Sequence, residues 1–135
     1  MHEDIRSMLR HYGFSWTEMT EERLQFRLQL LEEEVEETRV AVEHGIAEEV
    51  VDGLTDTVVI ALGTLELLGV DVELAWQRVM AANMQKVRGR KPGRESDGWD
   101  LTKPEGWEAP VHGDNVGILP ILLKENDGDT NKKNG

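Results

Sequence analysis

The fold of this chain is decided by two acidic stretches, LLEEEVEE at residues 30–37 and EEVVDGLTD at residues 48–56. Both lie in segments whose apolar residues recur at helical spacing, so both are predicted to be helical. Thr20 is a good N-cap for the first helix, and Gly45 is expected to end it. The short link at residues 44–47 makes the two helices antiparallel neighbours.

Helical periodicity gives the first of these helices an apolar stripe that we expect to form its core seam. Glu34 and Glu37 lie beside this stripe rather than opposite it, and Glu33 follows another partly apolar line. The expected seam residues are Leu24, Leu28, Leu31, Val35, Thr38 and Val42.

The second helix repeats this arrangement. Asp52 and Asp56, one turn apart, share a line that differs from its apolar stripe. The following segment TVVIALGTLELLGV at residues 57–70 is apolar nearly all round, so we expect it to be buried and Asp56 to stand where the helix enters the core. The expected stripe residues are Val51, Leu54, Val58, Ala61, Leu62 and Leu65.

Ionised carboxylates on such lines are costly unless something compensates them, and several that converge also repel one another. A hard divalent cation such as Mg²⁺, which prefers oxygen ligands, resolves both problems. Any single glutamate here is better explained as part of a solvated face. Their combination on two facing helices instead favours a metal site.

The chain has 135 residues, a net charge of −12 and no cysteine, and its length is that of one domain. The charge argues against general binding to nucleic acid or anionic membranes, and thiolate metal sites are excluded. No apolar run is long enough to span a bilayer, and the first residues lack a signal-peptide pattern, so we expect a cytoplasmic protein. We expect the domain to cover residues 1–110 and a C-terminal segment to cover 111–135, disordered from about residue 124.

Two further helices are predicted. A short amphipathic one covers residues 3–12, and another runs from residue 71 to about 87. Val72, Trp76, Val79 and Met80 are expected to line the inner face of the latter. Asn83 follows on the same face, with Lys86 one turn later.

Residues 88–110 are rich in Gly, Pro and Trp and are predicted to form an ordered loop. Charge separates along the chain: residues 21–56 hold twelve acidic and three basic residues, whereas residues 86–103 hold six basic and three acidic ones. A basic loop after an acidic cluster suits a Mg²⁺-bound polyphosphate. Charge balance on an acidic surface explains it equally well. The later GILPILL is expected to form a short element or a contact between subunits.

Other catalytic motifs are missing from the sequence. No histidine follows a glutamate by three residues, as a di-iron bundle requires, and there is no Walker loop, dinucleotide fingerprint or complete calcium loop. A nucleophilic triad is not expected in a helical chain without cysteine or an elbow motif. Carboxylate-bound Mg²⁺ with nearby basic and amide groups fits hydrolysis at phosphorus.

The order LLEEEVEE, DGLTD, ANMQK and DGWDLTKPEGW resembles the MazG-like all-α nucleoside triphosphate pyrophosphohydrolases, most closely their small phage-type and bacterial dUTPase-like members. The resemblance covers about residues 20–110. It implies a helical subunit that dimerises, or forms a pair of dimers, around a four-helix core. It also implies Mg²⁺-dependent hydrolysis of (deoxy)nucleoside triphosphates between the α and β phosphates, with Mn²⁺ as a substitute ion.

On this resemblance the metal ligands are Glu33, Glu34, Glu37 and Asp56, and Asn83 and Lys86 meet the substrate. Glu33 or Glu34 is the expected catalytic group, which positions the attacking water or takes its proton. The basic candidates for the pyrophosphate are Arg90, Lys91, Arg94 and Lys103, among which the sequence does not choose.

One position departs from the family pattern. The usual Glu-x-x-Asp requires a glutamate where this chain has Gly53. We expect Asp52 to replace it as a metal ligand, with Glu49 as the weaker candidate. Two rival functions stay open: a non-catalytic acidic helical module that binds a basic partner, and a phosphoribosyl-ATP pyrophosphohydrolase.

Overall fold

The computed structural model of this chain describes residues 1–94 and 97–123, and over these residues the fold is mainly helical. The helices are α1 (His2–His11), α2 (Glu21–Glu43), α3 (Ala47–Leu67), α4 (Val72–Asn83) and α5 (Leu119–Leu122), and the strands are β1 (Val87–Gly89) and β2 (Asp100–Thr102). The predicted all-α class is confirmed. The predicted disorder from residue 124 lies outside the described residues.

The chain divides into two compact units, which are described separately below. The first comprises Met1–Val72 and the segment that begins at Val116, and the second comprises Glu73–Asn115. The single domain expected over residues 1–110 stays a prediction. No helix of the described part of the chain is long and apolar enough to cross a membrane.

The ends of α2 form as the sequence predicts. The Thr20 side chain accepts a hydrogen bond from the backbone N–H of Arg23 at 3.1 Å, which satisfies one of the unpaired donors of the first turn. Gly45 has a φ of +70°, and the Ile46 N–H donates to the Ala41 carbonyl at 2.9 Å. The left-handed glycine therefore ends the helix and turns the chain into α3. The antiparallel pairing of α2 and α3 is confirmed, because Arg27 contacts Thr64 while Thr38 contacts Gly53.

The expected core seam of α2 is only half correct: Thr38 is buried and Leu24 and Leu31 are half-buried. Leu28, Val35 and Val42 are 42%, 44% and 61% exposed, whereas Ala41 is 2% exposed. The helix packs on α3 through Arg27, Glu34, Thr38 and Ala41, and of these four only Thr38 belongs to the expected seam. These positions are spaced by seven, four and three residues, as in a coiled-coil seam.

The stripe expected for α3 is also only half correct. Val51, Leu54 and Val58 are exposed, whereas Leu62 and Leu67 are buried. The prediction that α3 becomes buried after Asp56 is confirmed, since Leu62, Gly63, Thr64 and Leu67 all lie in the interior.

The core of the first unit forms where α1 packs on the C-terminal half of α3. Ile5 and Leu9 of α1 are 6% exposed and join Leu62, Leu67 and Val72 in one apolar cluster. Arg6 bridges the edge of this contact with a 3.1 Å ion pair to Glu66. At its other end, the Ile118 N–H donates to the Leu68 carbonyl at 2.9 Å, which joins the segment containing α5 to this unit.

In the second unit α4 is shorter than expected. It ends at Asn83 instead of about residue 87, because Val87 pairs with Thr102 in an antiparallel hairpin, where the sequence predicts the end of a helix and a loop. The inner face expected for α4 is also wrong beyond Val72, since Trp76, Val79 and Met80 are 45%, 39% and 41% exposed.

Candidate active site

The acidic residues of α2 and α3 meet around Glu34. This side chain is half-buried, and its partial desolvation raises its pKa above the ordinary carboxyl value. Repulsion from Glu37, Asp56 and Glu33 raises the pKa further. The predicted acids Glu33, Glu34, Glu37 and Asp56 therefore share one electrostatic neighbourhood, although they come from two helices.

The predicted metal ligands are otherwise exposed. Glu33, Glu37, Asp52 and Asp56 all face solvent, and Asp52 is not among the groups that raise the pKa of Glu34. Within residues 1–94 and 97–123, no three His, Asp or Glu side chains stand close enough together to hold a metal ion. The ligand set stays a prediction, with Asp52 supported less directly than Asp56.

The close packing of α2 against α3 explains why residue 53 is a glycine. A Cβ atom added at this position would lie 2.0 Å from Oγ1 of Thr38 and 3.1 Å from its Cβ atom. The Thr38 hydroxyl is fixed by a 2.7 Å hydrogen bond to the Glu34 carbonyl. The family's glutamate therefore has no room here, and the departure from the family pattern has a steric cause.

Arg27, two turns before Glu34 on α2, was missed by the sequence analysis. Its Nε donates to Oγ1 of Thr64 at 3.0 Å, and its Nη2 donates to the Ile60 carbonyl at 3.1 Å. Burial lowers the pKa of the Arg27 guanidinium below its ordinary value. The signal that reveals it is its seven-residue spacing from Glu34, which places both side chains on one helix face.

In the second unit, two of the predicted basic residues lie against the same indole ring. The Nζ atoms of Lys86 and Lys103 lie 5.2 Å and 5.1 Å from the ring centroid of Trp107. The Trp107 Nε1–H donates to the Ala82 carbonyl at 2.8 Å, near the C-terminal end of α4. The ring therefore holds both ammonium groups beside this helix end through cation–π attraction.

The arginines predicted to hold the pyrophosphate have acidic partners. Arg90 donates to Asp97 at 2.8 Å, and Arg94 donates through Nε to Asp100 at 2.6 Å. The Arg94 guanidinium lowers the pKa of the Asp100 carboxyl. Lys91 is half-buried and pairs through its backbone with Arg94 in an isolated β-bridge. The ion pairs favour Lys86 and Lys103 over the arginines as free cations.

The chain is an all-α protein in which an antiparallel pair of helices brings carboxylates into one electrostatic neighbourhood. The sequence profile of the phosphoribosyl-ATP pyrophosphohydrolase family matches residues 13–83, just over half of the chain, and the chain belongs to this family. No curated protein matches the chain.

The matched region contains the acids of α2 and α3 and ends at Asn83. That residue is half-buried, and its carbonyl accepts a hydrogen bond from the Lys86 N–H at 3.0 Å. The resemblance to dUTPase-like and phage-type members stays a prediction.

Proposed function

We propose that this protein is a Mg²⁺-dependent hydrolase of nucleoside triphosphates, which cleaves between the α and β phosphates and releases the monophosphate and pyrophosphate. The observation that supports it most is the meeting of carboxylates from two helices around Glu34, in a chain that belongs to a pyrophosphohydrolase family.

The donor set fits Mg²⁺, and Mn²⁺ can substitute, because every candidate is a carboxylate oxygen and the candidates repel one another without a cation. Glu33, Glu34, Glu37 and Asp56 would hold the ion, with Asp52 in place of the glutamate that Gly53 excludes. When bound, the ion supplies neutralisation of the triphosphate charge and activation of water.

In the proposed reaction a carboxylate of the chain accepts the proton that the attacking water releases. Water attacks a phosphorus atom of the α–β anhydride, a new P–O bond forms and the anhydride P–O bond breaks, which releases the monophosphate and pyrophosphate. Glu34, which stands among the other carboxylates of the cluster, takes the proton of the attacking water. Glu33, which is exposed beside it, is the alternative base.

The proposed substrate-binding groups are Lys86, Lys103 and Asn83. Lys86 and Lys103, held on Trp107, offer two ammonium groups to phosphate oxygens. The Asn83 amide offers both a donor and an acceptor to a base edge. Arg90, Lys91 and Arg94 are the weaker candidates.

We also propose that a second copy of the chain covers the exposed apolar side chains of α2 and α3. Leu28, Val35, Leu54 and Val58 are each more than 40% exposed, and an apolar surface of this kind is costly in a monomer. A homodimer, or a dimer of dimers, follows from this proposal. Sedimentation equilibrium on the wild type and on Val35→Glu tests it.

Pyrophosphate release from a panel of deoxy- and ribonucleoside triphosphates, with and without Mg²⁺, tests the activity. Glu34→Gln and Asp56→Asn should reduce release by at least about 100-fold, as expected when a catalytic group is lost. Glu32→Gln, on an exposed part of the same helix, is the matched control and should retain activity. Absence of release from every substrate by folded protein would instead favour the non-catalytic acidic binding module.

The family match favours a second candidate substrate, phosphoribosyl-ATP. It contains the same α–β anhydride, so the same carboxylates would act on it. Including it in the panel, and complementing a histidine auxotroph with this gene, separates the two candidates.

A further inference from the structure

The hairpin formed by β1 and β2 in the second unit carries an exposed tryptophan beside an arginine. Trp99 directly precedes β2 and is 84% exposed, the highest value of any large apolar side chain in the described part of the chain. The Arg88 guanidinium of β1 lies 5.8 Å from the centroid of the Trp99 ring, and Nε of Arg88 donates to the Gly98 carbonyl at 2.7 Å. The ring is therefore held at the surface beside a cation instead of being buried in a core.

Cations occupy two successive levels of the same hairpin. Lys86 directly precedes β1 and Lys103 directly follows β2, and the Nζ atoms of both lie on the ring of Trp107, so they stand together at one end of the hairpin. Arg88 lies two residues further along β1, which corresponds to about 6.6 Å, and its guanidinium reaches the ring of Trp99. The order along the hairpin is thus two ammonium groups, one guanidinium group and one exposed indole ring.

The charge of this surface is opposite to that of the whole chain. Among the ion pairs of residues 1–94 and 97–123, none involves Lys86, Arg88 or Lys103, whereas the other two arginines of the same stretch pair with aspartates. Residues 86–103 hold six basic and three acidic residues, in a chain whose net charge is −12. The three cations are therefore the groups of the hairpin that have capacity for an anion.

A single strand of nucleic acid presents both kinds of group that this surface can bind. Every unstacked base has a π-face that can stack on an exposed indole ring, and an arginine beside the ring adds a cation–π contribution. A strand that runs along the hairpin also passes the two cationic levels in succession, so that each level meets a different phosphate. A double helix offers phosphates alone, because the faces of its bases are already stacked on one another.

We propose that the hairpin binds a short single strand of nucleic acid, with one base stacked on Trp99 and successive phosphates on Arg88 and on the pair Lys86 and Lys103. The net charge of −12 opposes the approach of a long polyanion, so the contact is confined to the hairpin and extends over a few nucleotides. The hairpin lies outside residues 13–83, which the family profile matches, and binding requires no hydrolysis. The strand-binding surface therefore does not depend on the proposed function.

Fluorescence anisotropy of a labelled oligothymidylate of about 12 nucleotides, with the full chain in EDTA at low salt, tests this surface. Trp99→Ala should weaken binding about 10-fold or more, whereas Trp99→Phe should retain most of it because a benzene ring still stacks on a base. Arg88→Met should reduce the slope of log affinity against log salt by about 0.7, the value for one phosphate contact on a single strand. Trp16→Ala and Arg10→Met, which replace exposed side chains of the first unit, are the matched controls and should change neither quantity.

Three results would overturn the proposal: no binding by the wild type, equal binding of a duplex of the same length, or an affinity and a salt slope that Trp99→Ala and Arg88→Met leave unchanged. Thymidine triphosphate that competes as strongly as the oligonucleotide would overturn it as well, because the surface would then be a site for a free nucleotide. Both side chains are exposed, so their replacement spares the core. Since the assay contains no Mg²⁺, its result is the same whether or not the chain cleaves nucleotides, and a failure of the proposed function leaves this test intact.

Discussion

The close packing around Gly53 leads to a specific prediction about the stability of a substitution at this position. An added methyl group would lie 2.0 Å from Oγ1 of Thr38. Gly to Ala inside a helix gains about 1 kcal/mol in propensity, whereas overpacking costs about 1–3 kcal/mol. Thr38 is β-branched and hydrogen-bonded to the Glu34 carbonyl, so it has little freedom to move away. We therefore expect the upper part of that range, and Gly53→Ala should lower the free energy of unfolding by about 1–2 kcal/mol net.

Urea denaturation of a double-mutant cycle measures this contact. Thr38→Ala removes the hydroxyl and leaves the 3.1 Å approach to its Cβ atom, so it should relieve most of the overlap. The coupling energy between Gly53→Ala and Thr38→Ala should then reach about 1 kcal/mol or more. Gly63→Ala is the matched control on the same helix. Its new methyl meets Nη2 of Arg27 at 2.8 Å, at the far end of a long side chain, so it should cost chiefly the hydrogen bond from this atom to the Ile60 carbonyl and destabilise less.

A Gly53→Ala variant at least as stable as the wild type would refute this reasoning. Additive effects of the two substitutions would do the same, since independent sites do not share an overlap. Either result would mean that α2 and α3 do not approach each other closely at Thr38, and the steric account of the missing family glutamate would fail with it.

Three further predictions concern individual side chains. Because the pKa of Glu34 is raised on folding, the penalty for its ionisation is present above the raised value and absent below the ordinary carboxyl pKa. Glu34→Gln should therefore be more stable than the wild type in EDTA at neutral pH, and urea denaturation should show this gain vanishing as pH falls; an equal gain at low pH would contradict the sign. Trp107→Phe should cost about 1 kcal/mol through the lost bond to the Ala82 carbonyl, measured by thermal denaturation, and an unchanged midpoint would count against that bond. Asp114, whose pKa is lowered chiefly by its hydrogen bond to Arg78, contributes stability above its ordinary pKa that disappears as pH falls through the lowered value; Asp114→Asn should remove this acid dependence from hydrogen exchange in α4, and an unchanged profile would reject the assignment.

The helical pair and its ends could be predicted from sequence because their signals are local. Thr20 caps α2 through its own side chain, and Gly45 ends the helix because it adopts a positive φ. The acids could be predicted for the same reason. Their placement on neighbouring lines of two helices follows from spacing alone, and in the structure Glu37, Asp56 and Glu33 all raise the pKa of Glu34.

The face on which α2 packs could not be chosen by hydrophobicity. Leu28 and Val35 belong to the more apolar line, yet the seam within this chain also runs through Arg27 and Ala41. A polar residue can lie in a helix–helix seam when the partner helix supplies its hydrogen-bond partners. Those partners are residues of α3, so the sequence of α2 alone does not reveal them. Hydrophobic periodicity identifies the more apolar face of a helix, but it does not say whether the same chain covers that face.

The end of α4 was missed for a different reason. Residues up to Val87 continue a helical pattern, but the pairing of Val87 with Thr102 is a contact between positions fifteen residues apart that competes with the helix. The same fold-back allows Trp107 to reach the Ala82 carbonyl and hold Lys86. The sequence identifies the basic residues, but only the tertiary structure shows which of them pair with acidic residues and which contact an aromatic ring.

The absence of the family glutamate and the electrostatic state of Glu34 are consequences of one packing event. Gly53 permits α2 and α3 to approach closely at Thr38, and one turn from this contact the same approach brings Glu34 into the field of Asp56. A glutamate at position 53 would add a carboxylate but would force the helices apart at this point. The chain lacks this acid and keeps the close contact between the two helices at Thr38. The strength of repulsion at Glu34, rather than the number of acids in the sequence, is therefore the quantity that measures how strongly this site favours a cation.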